Sequence, residues 1–149
     1  MTESRATNDF ELHPRLLAES YPVGRMTLSR IRLMDDARFP WLLVIPTRPG
    51  VSEPFDLPDR ARRQLNEEIH LLGLALRGAF EPDRLNVAAL GNQVPQLHVH
   101  LVARYEGDAA WPAPVWGHGE RQPYTAGGIT AFLHALLPHA PPELLLDQA

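Results

Sequence analysis

His98 and His100 stand two positions apart in the run Gln96-Leu-His-Val-His-Leu-Val-Ala-Arg104. An imidazole near neutral pH can serve as base, nucleophile or metal ligand, so this pair is the first place to look for chemistry. Apolar residues alternate with the polar ones, which predicts a strand over residues 96–105. Successive side chains of a strand take opposite faces. Gln96, His98 and His100 would then share one face, and Leu97, Val99 and Leu101 the other. Just upstream, Gly91-Asn92-Gln93 reads as a turn that brings backbone N–H groups and two side-chain amides near the polar face. Backbone donors in a turn can hold an anion without lysine.

The pattern alone leaves more than one reading open. A half-exposed edge strand with two solvated histidines shows the same alternation. His-x-His can also offer two imidazoles to a metal. A strand site of that type wants a Glu about four or five residues beyond the second His. The chain has Arg104 and Tyr105 there, with Glu106 one place late.

Composition removes several alternatives. All 14 basic residues are Arg, so neither a Schiff-base lysine nor a phosphate-loop lysine is possible. Cys is absent, which excludes disulfides, thiolate nucleophiles and cysteine zinc sites. A net charge of -4 argues against a nucleic-acid or membrane-surface partner, since both need a basic face. The polar first residues lack a signal-peptide pattern. The aliphatic run Leu42-Leu-Val-Ile45 is far below the ~20 residues of a spanning helix. A cytoplasmic address is expected.

Positioning these residues requires a scaffold. Residues 1–9 read as a flexible tail and residues 10–149 as a single domain without internal repeats. A short amphipathic helix is expected within 10–18, broken by Pro14 or using it in the first turn. Residues 25–34 alternate as a strand with one shift of phase, residues 35–40 form a turn, and residues 41–45 form a buried strand stopped by Pro46. The clearest helix is capped by Asp56, carries Pro58 and Asp59 in its first turn, and ends at Gly78 and Pro82. Ala61, Leu65, Ile69, Leu72 and Leu76 make its apolar stripe, with Glu68 off it. A strand over 85–90, the turn, the histidine strand and a short helix over 130–137 complete the chain. Trp111 and Trp116 fall in an irregular Pro-rich segment, one expected in the core and one partly exposed. The class is α+β, with an antiparallel sheet of about five strands packed on one long helix plus short helices.

Gln-φ-His-φ-His-φ-φ, with an apolar residue at every φ, resembles the histidine triad (HIT) signature His-φ-His-φ-His-φ-φ. The resemblance extends over about residues 25–105. It takes in Gly91-Asn92-Gln93, the strand pair across Leu33-Met-Asp-Asp-Ala-Arg-Phe-Pro-Trp-Leu-Leu-Val-Ile-Pro46, and the long helix. Val94-Pro-Gln-Leu-His-Val-His100 followed by Ala110-Trp-Pro-Ala-Pro-Val-Trp-Gly117 is similar to a bacterial subgroup with Gln at the first triad position.

The resemblance implies a nucleotide hydrolase or transferase that cleaves a phosphoanhydride or phosphoramidate at the α-phosphate of a nucleoside monophosphate moiety. His98 would be the nucleophile, forming a covalent nucleotidyl-histidine. Asn92, Gln93, Gln96 and His100 would surround the phosphate, neutral donors carrying most of its charge. A backbone carbonyl at position 96 would hold the tautomer of His98. Asp35 would bind the ribose hydroxyls, with Asp36 as a possible substitute. Zinc-binding relatives use the first His and an upstream His; here Gln96 and the loop Pro46-Thr-Arg-Pro49 supply neither, so no metal or other cofactor is expected. His13, His70, His118, His134 and His139 receive no role. A homodimer acting on a small-molecule nucleotide is implied. A catalytically weak nucleotide-binding module is the alternative, with Gln96 as its mark.

Overall fold

A computed structural model describes residues 9–147. Helix α1 (Pro14–Ala18) opens on Pro14, which loses no hydrogen bond in the first turn. The Nδ1 of His13 caps it by accepting the Arg15 N–H at 3.1 Å. Strands β1 (Ser20–Arg25) and β2 (Ser29–Met34) form a hairpin closed by Met26 N–H on the Ser29 carbonyl at 2.8 Å. Residues 25–34, expected as one strand, are therefore the end of one strand, a turn and a second strand. The apparent shift of phase was that turn. Pro22 and Gly24 hid β1 from a propensity reading; they sit at a register shift where the ladder is already interrupted.

Strand β3 (Trp41–Pro46) is buried along its whole length. A 3-10 turn (Pro54–Asp56) then leads into α2 (Asp59–Phe80). Asp56 does not cap α2 as expected. Its carboxylate closes the preceding turn by accepting the N–H of Ser52 at 3.1 Å and of Glu53 at 3.0 Å. Gly78 does not end the helix either. A Cβ there would lie 2.5 Å from the His139 ring, so this glycine admits a second 3-10 turn (Leu137–His139) against the helix. The helix stops at Glu81, in the left-handed region with φ 46°.

Strands β4 (Arg84–Ala88) and β5 (Val99–Arg104), helix α3 (Ala126–Leu136) and the two-residue β6 (Leu145–Leu146) complete the fold. α3 starts earlier than expected because Thr125 caps it, its hydroxyl accepting the Gly128 N–H at 3.0 Å. The six strands form one antiparallel sheet in the order β4-β5-β3-β2-β1-β6, the sixth strand being too short to read in sequence.

Strand alternation divides the core into two layers. Leu42, Val44, Val99 and Leu101 meet α2 and α3 on one face of the sheet. Glu68, expected off the apolar stripe, is fully buried in α2, where its Oε2 accepts the Leu28 N–H at 2.9 Å and the Gln64 amide at 2.7 Å. On the other face Trp41, Leu43 and Val102 pack with Phe39, Val94 and Val115. His100 and Arg104 alternate with the helix-facing residues of β5, so they belong to this second face, and His98 stands immediately before the strand. Among the described residues no helix is long and apolar enough to cross a membrane.

Candidate functional site

His98 and His100 are nearly buried, at 8% and 4% exposure, with ring centroids 4.9 Å apart. Different partners hold the two rings. Nδ1 of His98 lies 2.7 Å from the Gln96 carbonyl oxygen. A carbonyl only accepts, so in the neutral ring Nδ1 carries the proton and Nε2 carries the lone pair. His100 is the reverse. The Trp41 indole N–H, a donor only, reaches its Nδ1 at 3.0 Å. The lone pair is therefore on Nδ1, and the proton of the neutral ring is on Nε2. Burial, with a further contribution from His98, pushes the His100 pKa down to about 3, so this ring stays uncharged at neutral pH. The Trp116 ring packs edge-on against His100 and Trp41, centroids at 5.3 and 6.1 Å.

Both histidines line a cavity of about 380 Å³. Asn92 and Gln93 form part of its wall, projected by the turn in which Gly91 takes a φ of 68° that other residues rarely adopt. Leu16, Met34 and Val94 supply an apolar side. Arg15, Arg38 and Arg121 stand around it, paired with Glu19, Asp36 and Asp35 respectively. Among the described residues no three His, Asp or Glu side chains gather as a metal-holding group.

A model of the HIT domain matches residues 18–107, the span from the first strand to the end of the histidine strand. The chain belongs to the HIT domain family. Three crystal structures of histidine triad proteins share this HIT fold closely. The one from Sinorhizobium meliloti is 38% identical with a TM-score of 0.86, over 88% of this chain and 97% of that one. The one from Bradyrhizobium japonicum is 43% identical with a TM-score of 0.85, over 87% and 97%. The one from Marinobacter aquaeolei is 40% identical with a TM-score of 0.85, over 87% and 95%. No curated protein matches.

Of the HIT site residues expected from sequence, His98, His100, Asn92 and Gln93 come together around the cavity. Two do not. The Gln96 side chain turns to the N-terminal segment, where Oε1 accepts the His13 N–H at 2.9 Å and Nε2 donates to the Glu11 carbonyl at 2.8 Å. The ladder begins only at Val99, so strand alternation does not govern residue 96. Asp35 does not line the cavity either; it accepts Arg121 Nη1 at 3.0 Å and the Tyr124 N–H at 2.8 Å. Of the two aspartates Asp36 lines the cavity, as does Glu19. Burial works to raise its pKa, but hydrogen bonds from the Arg38 side chain and backbone and from Gln122 hold it below the usual carboxylate range.

Sequence reasoning missed the three arginines and underrated His118, which lines the cavity and whose carbonyl accepts Arg38 Nη1 at 2.7 Å. Neutral donors were expected to carry most of a phosphate's charge; each of the three arginines beside the cavity is already paired with a carboxylate. Trp111 and Trp116 are both half-buried, rather than one in the core and one outside. Trp116 lines the cavity, and Trp111 lies under the Arg104 guanidinium, 5.6 Å from it.

Proposed function

We propose that this HIT domain is a nucleotide hydrolase or transferase in which His98 attacks the α-phosphorus of a nucleoside monophosphate moiety. The observation that carries the reading is the 2.7 Å contact of His98 Nδ1 with the Gln96 carbonyl, which leaves Nε2 unprotonated on a residue that lines the cavity. In the first step the Nε2 lone pair forms the P–N bond while the bond from phosphorus to the leaving atom breaks. That atom departs with the electron pair and takes a proton from water. In the second step water attacks phosphorus, its proton goes to solvent, and the P–N electron pair returns to Nε2.

Negative charge grows on the phosphoryl oxygens in both steps. The Nε2–H of His100 and the amides of Asn92 and Gln93 are suited to meet it as neutral donors already in place. Asp36, rather than Asp35, is the acid suited to a ribose hydroxyl, and Leu16, Met34 and Val94 suit the base. The Gln96 carbonyl contact favours turnover over binding alone, because the tautomer of the nucleophile needs no side chain at that position. Incubation with an adenylylated substrate labelled on the α-phosphate tests the reading. Acid-labile label on His98 is expected, and label that persists in His98→Ala would overturn it.

A further inference from the structure

Arg15 and Glu19 of the α1 region line the cavity together with Leu16. Arg15 Nε donates to Glu19 Oε1 at 2.9 Å, with the two side chains 49% and 39% exposed. Helix stabilisation is a poor account of this pair. In a favourable pair the acid stands toward the helix N-terminus and the cation toward the C-terminus. Here the order is reversed, Arg15 being the second residue of α1 and Glu19 its C-cap. An ion pair as open as this one adds little stability in any case. The contact uses Nε and Oε1, and leaves Arg15 Nη1 and Nη2 and Glu19 Oε2 to a ligand.

The position of the pair narrows what that ligand is. The Asp35 N–H donates to the Glu19 carbonyl at 2.9 Å, which joins the end of α1 to the turn carrying Asp36. Asp36 is the acid suited to a ribose hydroxyl, so Glu19 stands where the neighbouring part of a nucleoside would lie. Leu16 and Met34 supply apolar surface beside it. A phosphate is a poor occupant of this end, because the Glu19 carboxylate opposes it.

We propose that Arg15 and Glu19 read the polar edge of the base, and that the cavity takes a guanine nucleotide in preference to an adenine one. The inference rests on the nucleotide reading of the cavity and adds the base. A carboxylate only accepts hydrogen bonds and a guanidinium only donates them. Their complement is an edge with two adjacent N–H donors followed by a carbonyl. Guanine carries that order in its 2-amino group, N1–H and O6. The carboxylate of Glu19 accepts the first two, and an Nη group of Arg15 donates to O6. Adenine instead turns the lone pair of N1 toward the carboxylate and has no carbonyl for Arg15.

Titration calorimetry with guanosine, inosine and adenosine 5′-monophosphates tests the assignment. The wild-type protein is expected to bind the guanine nucleotide about tenfold more tightly than the adenine one, the worth of one hydrogen bond to a charged group. The inosine compound, which lacks only the 2-amino group of guanosine, should fall between them. Glu19→Gln supplies one acceptor and one donor, the complement of the 6-amino group and N1 of adenine, and should turn the preference to adenine. A pair that served only α1 would not reverse it. Arg15→Ala should weaken the guanine and inosine nucleotides, which share O6, more than the adenine one. An equal fall on all three overturns the role of Arg15. Equal wild-type affinities for guanine and adenine, or the same preference before and after Glu19→Gln, overturn the base reader and leave the nucleotide reading standing. If none of the three nucleotides binds, the nucleotide reading fails and the base reader with it.

Discussion

The two ends of β5 place buried polar groups on the same face of the sheet and treat them oppositely. At its C-terminal end Arg104, 2% exposed, donates from all three nitrogens of its guanidinium. Nε and Nη2 donate to the Asp108 carboxylate at 2.7 and 3.0 Å, Nη1 to Asn86 at 2.8 Å, and Nη2 also to the Ala113 carbonyl at 2.8 Å. The Arg104 hydrogen bonds, together with three backbone N–H groups, outweigh burial and hold Asp108 far below the usual carboxylate range. At the other end His98 and His100 each spend one ring nitrogen on a protein partner and keep the other beside a cavity. A saturated polar cluster stabilises; a half-saturated one next to open space is equipped to act.

Breaking either end should give a different kind of loss. The largest effect is expected from His98→Ala, a fall in turnover of at least about 10³-fold with an unchanged melting curve, measured by steady-state kinetics and calorimetry. Asp108→Ala should do the converse. Leaving Arg104 buried without its carboxylate should cost about 3 kcal/mol in denaturant unfolding, while the folded fraction keeps its kcat.

Trp41→Phe sharpens the contrast within the histidine pair. It removes the indole N–H that sets the His100 tautomer, and kcat should fall about fivefold, the worth of one hydrogen bond. Nitrogen NMR of the His100 ring should show the second tautomer appearing; an unchanged tautomer would show that the indole does not set it. A further effect concerns acid and builds up only well below neutral pH. With a pKa near 3 in the fold against 6.5 unfolded, the unfolded chain takes up the His100 proton first as pH falls. Stability from this group is full above about pH 6.5 and declines toward pH 3, by at most about 1.4 kcal/mol per pH unit, and His100→Asn should flatten that part of the urea-unfolding profile. Prolonged chelation is expected to change turnover not at all, and a loss that zinc restores would overturn the metal-free reading.

The long helix and the histidine strand were legible because each follows a single period, and the strand at residues 41–46 because it is an unbroken apolar run ended by proline. The pairing of His98, His100, Asn92 and Gln93 was legible because one short segment carries all four. What escaped was long-range. Arg15, Arg38, Arg121 and His118 reach the cavity from three separate parts of the chain, and no local pattern connects them. Asp35 and Asp36 are adjacent acids with the same local signal, and both are hydrogen-bonded; only the fold shows that Asp36 lines the cavity and Asp35 does not. Trp41 looked like any buried aromatic, since its indole N–H finds His100 across strands whose register the sequence does not state.

Gln96 divides its labour between main chain and side chain: one oxygen seats the His98 ring, while the carboxamide clasps Glu11 and His13. The clasp and the seat can be altered independently. Gln96→Ala would unfasten the amino-terminal lead-in to α1 without moving the proton on His98. The side chain at position 96 therefore reports how residues 11–13 are anchored, and says little about which nitrogen of His98 holds the proton.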